Sequence, residues 1–352
     1  MNLKLINLAA YRHFTEGLRL SPRAPEVLES ALIQLDAKTA YIRRVIDANN
    51  KGIMPPPYDD GSLIITIETL LTAEGKILSL SQIVVDKEHS GRQSLVSFEM
   101  KSPTLEIPMR LEVPLRAFLK GNGRKFQGYC VYLHTLSKSD MNLVYYGITK
   151  RGWNLRFLEH LKTSFKEDTR RLFPVAFREL LEDAVSAKMN RQEPQFKKIT
   201  TTVCAFGLDE DQAMDTEEFL VEKYSLNSKH KNGLNMIPGG YEGIRTLSRL
   251  SLISRPSFLN TEEREEILDR HLKAHPQLGV PKPGVAAIWT QDEYAEAVIC
   301  GRENRLTADN VREIRYLSAF GNPPNVIATI IGVANLTQIK NVVSGKTYSR
   351  IK

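Results

Sequence analysis

Three clusters of glycine and proline constrain this chain more than any other feature, because they stop helices and strands from running through and so partition it. Gly121-Asn122-Gly123-Arg124-Lys125 is a turn-rich basic link ahead of a strand-like run. Ile237-Pro238-Gly239-Gly240 closes a structured stretch, and 277–284 (QLGVPKPG) discourages both helix and central strand. At 352 residues the chain is also longer than one ordinary core accommodates, which favours two or three domains. The breaks predict an accessory domain over 1–124, a second domain over 125–245, a helical tether over 246–304 and a small module over 305–352.

The first of these reads as α+β. Pro25 to Ala48 has helix-forming composition, with Val27, Ala31, Leu35, Ile42 and Ile46 broadly on one face. Leu63–Leu70, Ile77–Val85, Gln93–Glu99 and Leu105–Val113 read as strands, each bounded by Gly, Ser, Asp or Pro. No chemistry stands out here.

Chemistry begins after Gly128. Tyr129–Leu133 and Leu143–Ile148 are β-prone runs around a polar turn, which makes an antiparallel hairpin. With period 2, Cys130 and Tyr132 share one face, as do Tyr145 and Gly147, so two tyrosines on facing strands point into one site. Gly147 lets another backbone or a phosphate approach closely. Asn154 to Lys162 reads as a helix with Leu155, Leu158 and Leu161 on its inner side and Arg156 and His160 four apart on another face. A guanidinium can stabilise charge on a phosphodiester, and an imidazole can move protons near neutral pH. Met214 to Tyr224 is also helical in pattern, with Glu217 on the side of Met214, Leu220, Val221 and Tyr224. A carboxylate on an apolar face needs a cation or hydrogen-bond donors, and a divalent ion would serve.

Taken in order, Tyr132, Tyr145-Tyr146-Gly147, Arg156 and His160, Glu217 with Leu220-Val221, and Gly233-Leu234-Asn235 with Gly239-Gly240 resemble the motifs of the GIY-YIG nuclease superfamily over about 128–241. The resemblance implies an α+β, multidomain protein whose nuclease part is a small three-stranded antiparallel sheet flanked by helices. It implies one Mg²⁺ (or Mn²⁺) held by Glu217. Tyr132 would orient or deprotonate the attacking water, Tyr145 position the scissile phosphate, Arg156 stabilise transition-state charge, His160 assist proton transfer and Asn235 brace the site. The products would be a 5′-phosphate and a 3′-hydroxyl. Cys130 stands where the family has glycine, and Tyr146 where it has an aliphatic residue. The stretch 165–203 is longer than a minimal member needs; its Lys166, Arg170, Arg171, Lys197 and Lys198 either line DNA or belong to a solvated helical insertion.

The last 48 residues form a second, independent pattern. Thr307 caps a helix carrying Val311, Ile314 and Leu317; Gly321-Asn322-Pro323-Pro324 breaks it; Asn325–Ile331 is a short apolar helix; and Asn335–Val343 follows the turn at Gly332. This fits a helix-turn-helix arrangement and resembles the helical DNA-binding modules of phage and mobile-element endonucleases. Asn335, Thr337, Gln338 and Lys340 could reach base edges, while Lys346 and Arg350 suit phosphates, as do Lys150 and Arg151 beside the hairpin. A generic three-helix cap is the plainer alternative. Thr261 to His275 reads as an exposed charged helix, and His271 and His275, without further ligands, as part of its solvated face.

Apolar residues make up 42% and charged residues 25%, as in ordinary soluble domains, and the net charge of +7 leans weakly towards a polyanionic partner. Cys130, Cys204 and Cys300 are too far apart for a disulfide framework or zinc site and read as reduced thiols. No run of about 18 apolar residues suggests a membrane span, and the N-terminus lacks the form of a secretory signal. The sequence therefore predicts a cytoplasmic protein, bacterial or phage-encoded, with double-stranded DNA as partner, no membrane and no disulfide-linked partner; a homodimer on DNA stays open. The leading expectation is a metal-dependent endodeoxyribonuclease. The alternative is a non-catalytic DNA-binding regulator that keeps a nuclease-like scaffold.

Overall fold

The computed structural model describes residues 3–59, 61–71, 77–88, 91–101, 107–253, 264–275, 292–301 and 305–351. They form two compact units, Met1–Val280 and Pro281–Lys352. The Pro/Gly segment 277–284 lies outside the described residues.

The first unit opens with α1 (Leu8–Thr15), α2 (Ala24–Thr39) and α3 (Tyr41–Lys51). The single helix expected over Pro25–Ala48 is two: Ala40 adopts a left-handed φ of 51° that ends α2 and starts α3. Strands β1 (Ser62–Leu71), β2 (Ile77–Asp86), β3 (Leu95–Lys101) and β4 (Pro108–Pro114) follow, with a helical turn, α4, over Leu115–Phe118. Alternation drives burial: Leu63, Ile65 and Ile67 of β1, Val96 and Phe98 of β3, and Leu111 and Val113 of β4 are fully covered. Leu28, Leu32, Ile42 and Val45 belong to the same core.

The second half adds β5 (Tyr129–Lys138), β6 (Asn142–Thr149), α5 (Trp153–Ser164), α6 (Leu172–Asn190) and β7 (Phe196–Leu208). Helix α7 (Glu210–Leu220) runs into a π turn over Val221–Ser225, and α8 (Gly240–Arg249) and α9 (Arg264–Ala274) complete the unit. All strands share one seven-stranded sheet, ordered β2-β1-β3-β4-β7-β5-β6. It is mixed: β1 runs parallel to β3 and β4 parallel to β7, while the other neighbours are antiparallel. This corrects the expected small three-stranded antiparallel sheet. β5 does pair antiparallel with β6 and β7, but β7 also binds β4, and that seam merges β5, β6 and β7 with the N-terminal strands. The stretch read as an insertion supplies α6 and most of β7, whose β-branched run Ile199–Val203 is the sequence signal for a strand.

Core packing follows the sheet across both halves. Phe14 meets Phe118 and Phe206 edge-on, and Trp153 Nε1 donates to the carbonyl of Phe14 at 2.9 Å. Opposite β5, strand β7 is irregular at three places, one of them Gly207 with φ 72°. Such bulges bend a strand and re-aim its side chains. The outer edge of β6 is covered by 232–235: Val144 N–H donates to Asn232 O, and Leu234 N–H to Val144 O, both at 2.9 Å.

The second unit contains α10 (Asp292–Cys300), α11 (Ala308–Ala319), α12 (Pro324–Ile331) and α13 (Leu336–Val343). Thr307 accepts from Asn310 N–H to start α11, Pro324 begins α12, Gly332 ends it at φ 75°, and Asn335 caps α13. Val311, Ile314, Ile327, Ile339 and Val342 form the core, which Tyr348 and Ile351 close. No disulfide joins Cys130, Cys204 or Cys300. Among the described residues no single helix is long and apolar enough to cross a membrane.

Candidate active site

Register fixes the floor of the site. Tyr132 lies opposite Gly147, and His134 opposite Tyr145, so these four positions share one face of the hairpin. A Cβ on Gly147 would fall 2.6 Å from Tyr132 Cζ, so this glycine makes room for the buried phenol. Helix α5 then crosses this face, turned opposite to expectation. Leu155 and Leu158 are 43% and 44% exposed, while Arg156 and His160 are 4% and 1% exposed. The inward stripe is Trp153, Arg156, Phe157, His160 and Ser164, at the helical spacing of three and four.

The carboxylate arrives on α7, started by a capping box between Asp209 and Gln212. Ala213, Met214 and Glu217 form its buried side. The π turn that follows delivers Ser225 to Asn235, a common use of such turns near functional sites. Asn235 Oδ1 accepts from Ser225 Oγ at 2.6 Å and Tyr146 N–H at 3.0 Å, and its Nδ2 donates to Tyr146 O at 2.8 Å. It therefore bolts the glycine-rich loop to the tyrosine strand. Replacing it with Leu strands three buried polar partners and is expected to cost about 3 kcal/mol in urea unfolding; a loss under about 1 kcal/mol would show that this brace is dispensable.

Tyr132, Tyr145, Gly147, Arg156, Glu217, Asn235 and Gly239 line one cavity of about 20 Å³. That leaves room for about one water. Two further residues line it that sequence reasoning missed, Arg264 and Glu265, the first two residues of α9. The stretch expected to be a solvated charged helix buries Arg264, Glu265, Leu268, Asp269 and Leu272. The alternation of Ile267/Leu268 with Leu272 was the available signal for a docked face.

Behind the cavity stands a polar layer. His160 packs edge-on against Tyr145, centroids 5.0 Å apart, and Arg171 Nη2 lies 3.2 Å from His160 Nδ1. A guanidinium only donates, so Nδ1 accepts and the neutral ring carries its proton on Nε2. Nε2 has no hydrogen-bond partner. Burial, with help from the Arg171, Arg156 and His134 charges, holds the His160 pKa well below its ordinary value. Burial also raises the Tyr145 pKa, and Glu265 adds to the shift, so its hydroxyl stays protonated. Arg171 is itself buried and belongs to this layer rather than to a DNA-lining surface. Lys166, Arg170 and Lys197 are exposed, and Lys198 half-buried.

Glu217 is 3% exposed and engaged. Its Oε2 accepts from Gly240 N–H at 2.8 Å and from the Arg264 guanidinium, which also donates to Gly240 O at 2.5 Å. The Mg²⁺ that the resemblance implies does not fit this arrangement, because a guanidinium already stands against the one carboxylate assigned to hold the ion. Glu265 is the second carboxylate of the cavity. Its Oε1 accepts from Met236 N–H at 3.1 Å, while Oε2 faces Arg171 Nε at 3.8 Å, and both of these last two atoms lack a hydrogen bond. Burial raises the Glu265 pKa against the pull of Arg171, Arg264 and Arg156.

Of the residues assigned to DNA, Thr337, Lys340 and Lys346 are exposed on or after α13, and Gln338 is half-buried. Asn335 spends its side-chain oxygen on the N–H groups of Thr337 and Gln338. Arg350 lies 3.6 Å from Asp292. In the first unit, Arg151 pairs with Glu159 at 2.8 Å, and the Lys150 ammonium sits 5.9 Å from the Tyr129 ring centre. A scan against protein-family models finds no match to this chain, and searches of the curated proteins and of the solved structures find none either.

Proposed function

We propose that this chain is an endodeoxyribonuclease that hydrolyses DNA phosphodiester bonds, guided by its C-terminal helical unit. One observation carries the reading. Tyr132, Tyr145, Arg156, Glu217 and Asn235, spread over a hundred residues of sequence, converge on a single small polar cavity. A buried guanidinium beside two tyrosines, with a neutral imidazole behind, suits a phosphate better than a neutral substrate.

Within this proposal Arg156 donates to the non-bridging oxygens of the scissile phosphate as charge builds on them. The Tyr132 and Tyr145 hydroxyls orient the phosphate and the attacking water. His160 acts from the layer behind, holding Tyr145 in place through ring packing. Water adds to phosphorus, the bond to the 3′ oxygen breaks, and the 5′-phosphate and 3′-hydroxyl ends implied by the resemblance result. Dependence on Mg²⁺ or Mn²⁺ enters this proposal through the resemblance alone, because Arg264 stands against Glu217, the one carboxylate assigned to the ion. Thr337, Gln338, Lys340 and Lys346 are the candidate contacts to double-stranded DNA.

Plasmid nicking in Mg²⁺ is the test. Wild type is expected to cut, EDTA to stop it, and Glu217→Gln to lower the rate by roughly 100-fold or more. Unchanged nicking in Glu217→Gln removes the site assignment. One observation favours the non-catalytic regulator instead, namely the guanidinium seated on Glu217. Binding of a defined target without cutting, in any divalent ion, would select that reading.

A further inference from the structure

We propose that the first turn of α9 is an internal occupant of the active site, with Arg264 standing where a cation would meet Glu217 and Glu265 filling the cavity beside Arg156, where a phosphate would sit. This rests on the nuclease reading of the cavity and adds a regulatory state to it. Substrate and ion enter only when α9 withdraws.

Four observations support the assignment. The charges are those of a bound phosphate and its counter-ion: a cationic group from α9 faces the site's carboxylate, and a carboxylate from α9 shares the cavity with the site's guanidinium, Arg156. The space left, about 20 Å³, holds about one water and is far too small for a phosphodiester. The anionic mimicry continues along α9. Glu266 Oε1 lies 3.4 Å from Arg171 Nη1, and Asp269 Oδ1 accepts from Arg170 N–H at 2.6 Å. Lys273, at the far end of α9, bridges Asp168 and Asp269 at 3.0 Å each.

The occupancy is also imperfect, as a displaceable ligand should be. Arg171 Nε and Glu265 Oε2 stop 3.8 Å apart, each buried without a hydrogen bond, and His160 Nε2 is buried without one nearby. Native cores seldom leave such groups unsatisfied unless a ligand completes them. An apolar contact also anchors α9: Leu268 and Leu272 pack on Met236, Ile237 and Leu247. Shortening Leu268 and Leu272 therefore loosens α9 while every polar side chain of the site is kept.

Two measurements on the full chain test the proposal. The first reads free Mn²⁺ by electron paramagnetic resonance and needs no turnover. Arg264→Ala is expected to bind Mn²⁺ roughly 10-fold or more tighter than wild type, and adding Glu217→Gln to remove that gain. The second is plasmid nicking by Leu268→Ala/Leu272→Ala, which keeps every polar group of the site. Its rate is expected to rise roughly 10-fold or more above wild type. Mn²⁺ affinity indifferent to Arg264 overturns the proposal, and so does slower or unchanged nicking by the double variant in a protein that nicks. If no variant cuts DNA while Arg264→Ala gains the ion, the nuclease reading falls and the occupancy of Glu217 stands.

Discussion

Arg156→Ala is expected to lower plasmid nicking by roughly 100- to 1,000-fold while leaving the protein folded. The guanidinium lines the cavity and is 4% exposed, so it acts in a medium where a charged donor is worth far more than in water. Its nearest carboxylate, Glu159, lies 2.5 Å away but is also held by Arg151 at 2.8 Å. Deleting Arg156 therefore leaves Glu159 paired with Arg151. Its charge also depresses the pKa values of His134 and His160, so the truncation relieves two buried imidazoles. The expected result is a stable protein that binds DNA and cuts it very slowly. A fall of less than about 5-fold, with the fold intact, would mean that Arg156 does not meet the phosphate.

The second large effect concerns pH and stability. His134 is fully covered, facing the rings of Tyr132, Tyr145, Phe157, His160 and Phe173, with Thr201 Oγ1 2.9 Å from Nδ1. Burial, aided by the Arg156 charge, pushes its pKa down from 6.5 to about 3. A depressed pKa means that the folded protein takes up a proton less readily than the unfolded chain. The stabilisation is therefore complete above the unfolded value of 6.5 and drains away as pH falls towards 3. The slope is about 1.4 kcal/mol per pH unit for this one group, and His160 steepens it in the same direction. Urea unfolding of the full chain between about pH 6 and pH 5 should show that slope, and His134→Gln should remove one histidine's share. A variant as pH-sensitive as wild type would place the acid lability elsewhere.

Local periodicity made part of this site legible. Two-residue spacing pointed Tyr132 and Tyr145 into one site, four-residue spacing put Arg156 and His160 together, and an apolar helix face marked Glu217 as a carboxylate in need of a partner. His134 was within reach of the same logic, two residues beyond Tyr132 on one strand face. Helix α5 misled because leucines ordinarily point inward. Trp153 and Phe157 share the stripe of Arg156 and His160, and two aromatics outweigh two leucines for the interior. Arg171, Arg264 and Glu265 were out of reach. Their burial depends on partners a hundred or fewer residues away on other elements, and a run such as 261–275 looks solvated until those partners are in place. The extent of the sheet was hidden for a related reason. A parallel pairing such as β4 with β7 joins segments far apart in sequence, and no local pattern announces it.

That parallel seam also decides what kind of unit the site-bearing half is. Met109–Glu112 and Ile199–Thr202 are matched residue for residue along it. Parting the chain at Gly121–Lys125 would leave β7 with a bare flank of backbone amides and carbonyls, beside a core already shared through Phe14, Phe118 and Phe206. Genetic rearrangement could not lift the tyrosine hairpin and its helices out as a cassette and graft them onto another protein. The N-terminal half is therefore inherited together with the half that carries the cavity.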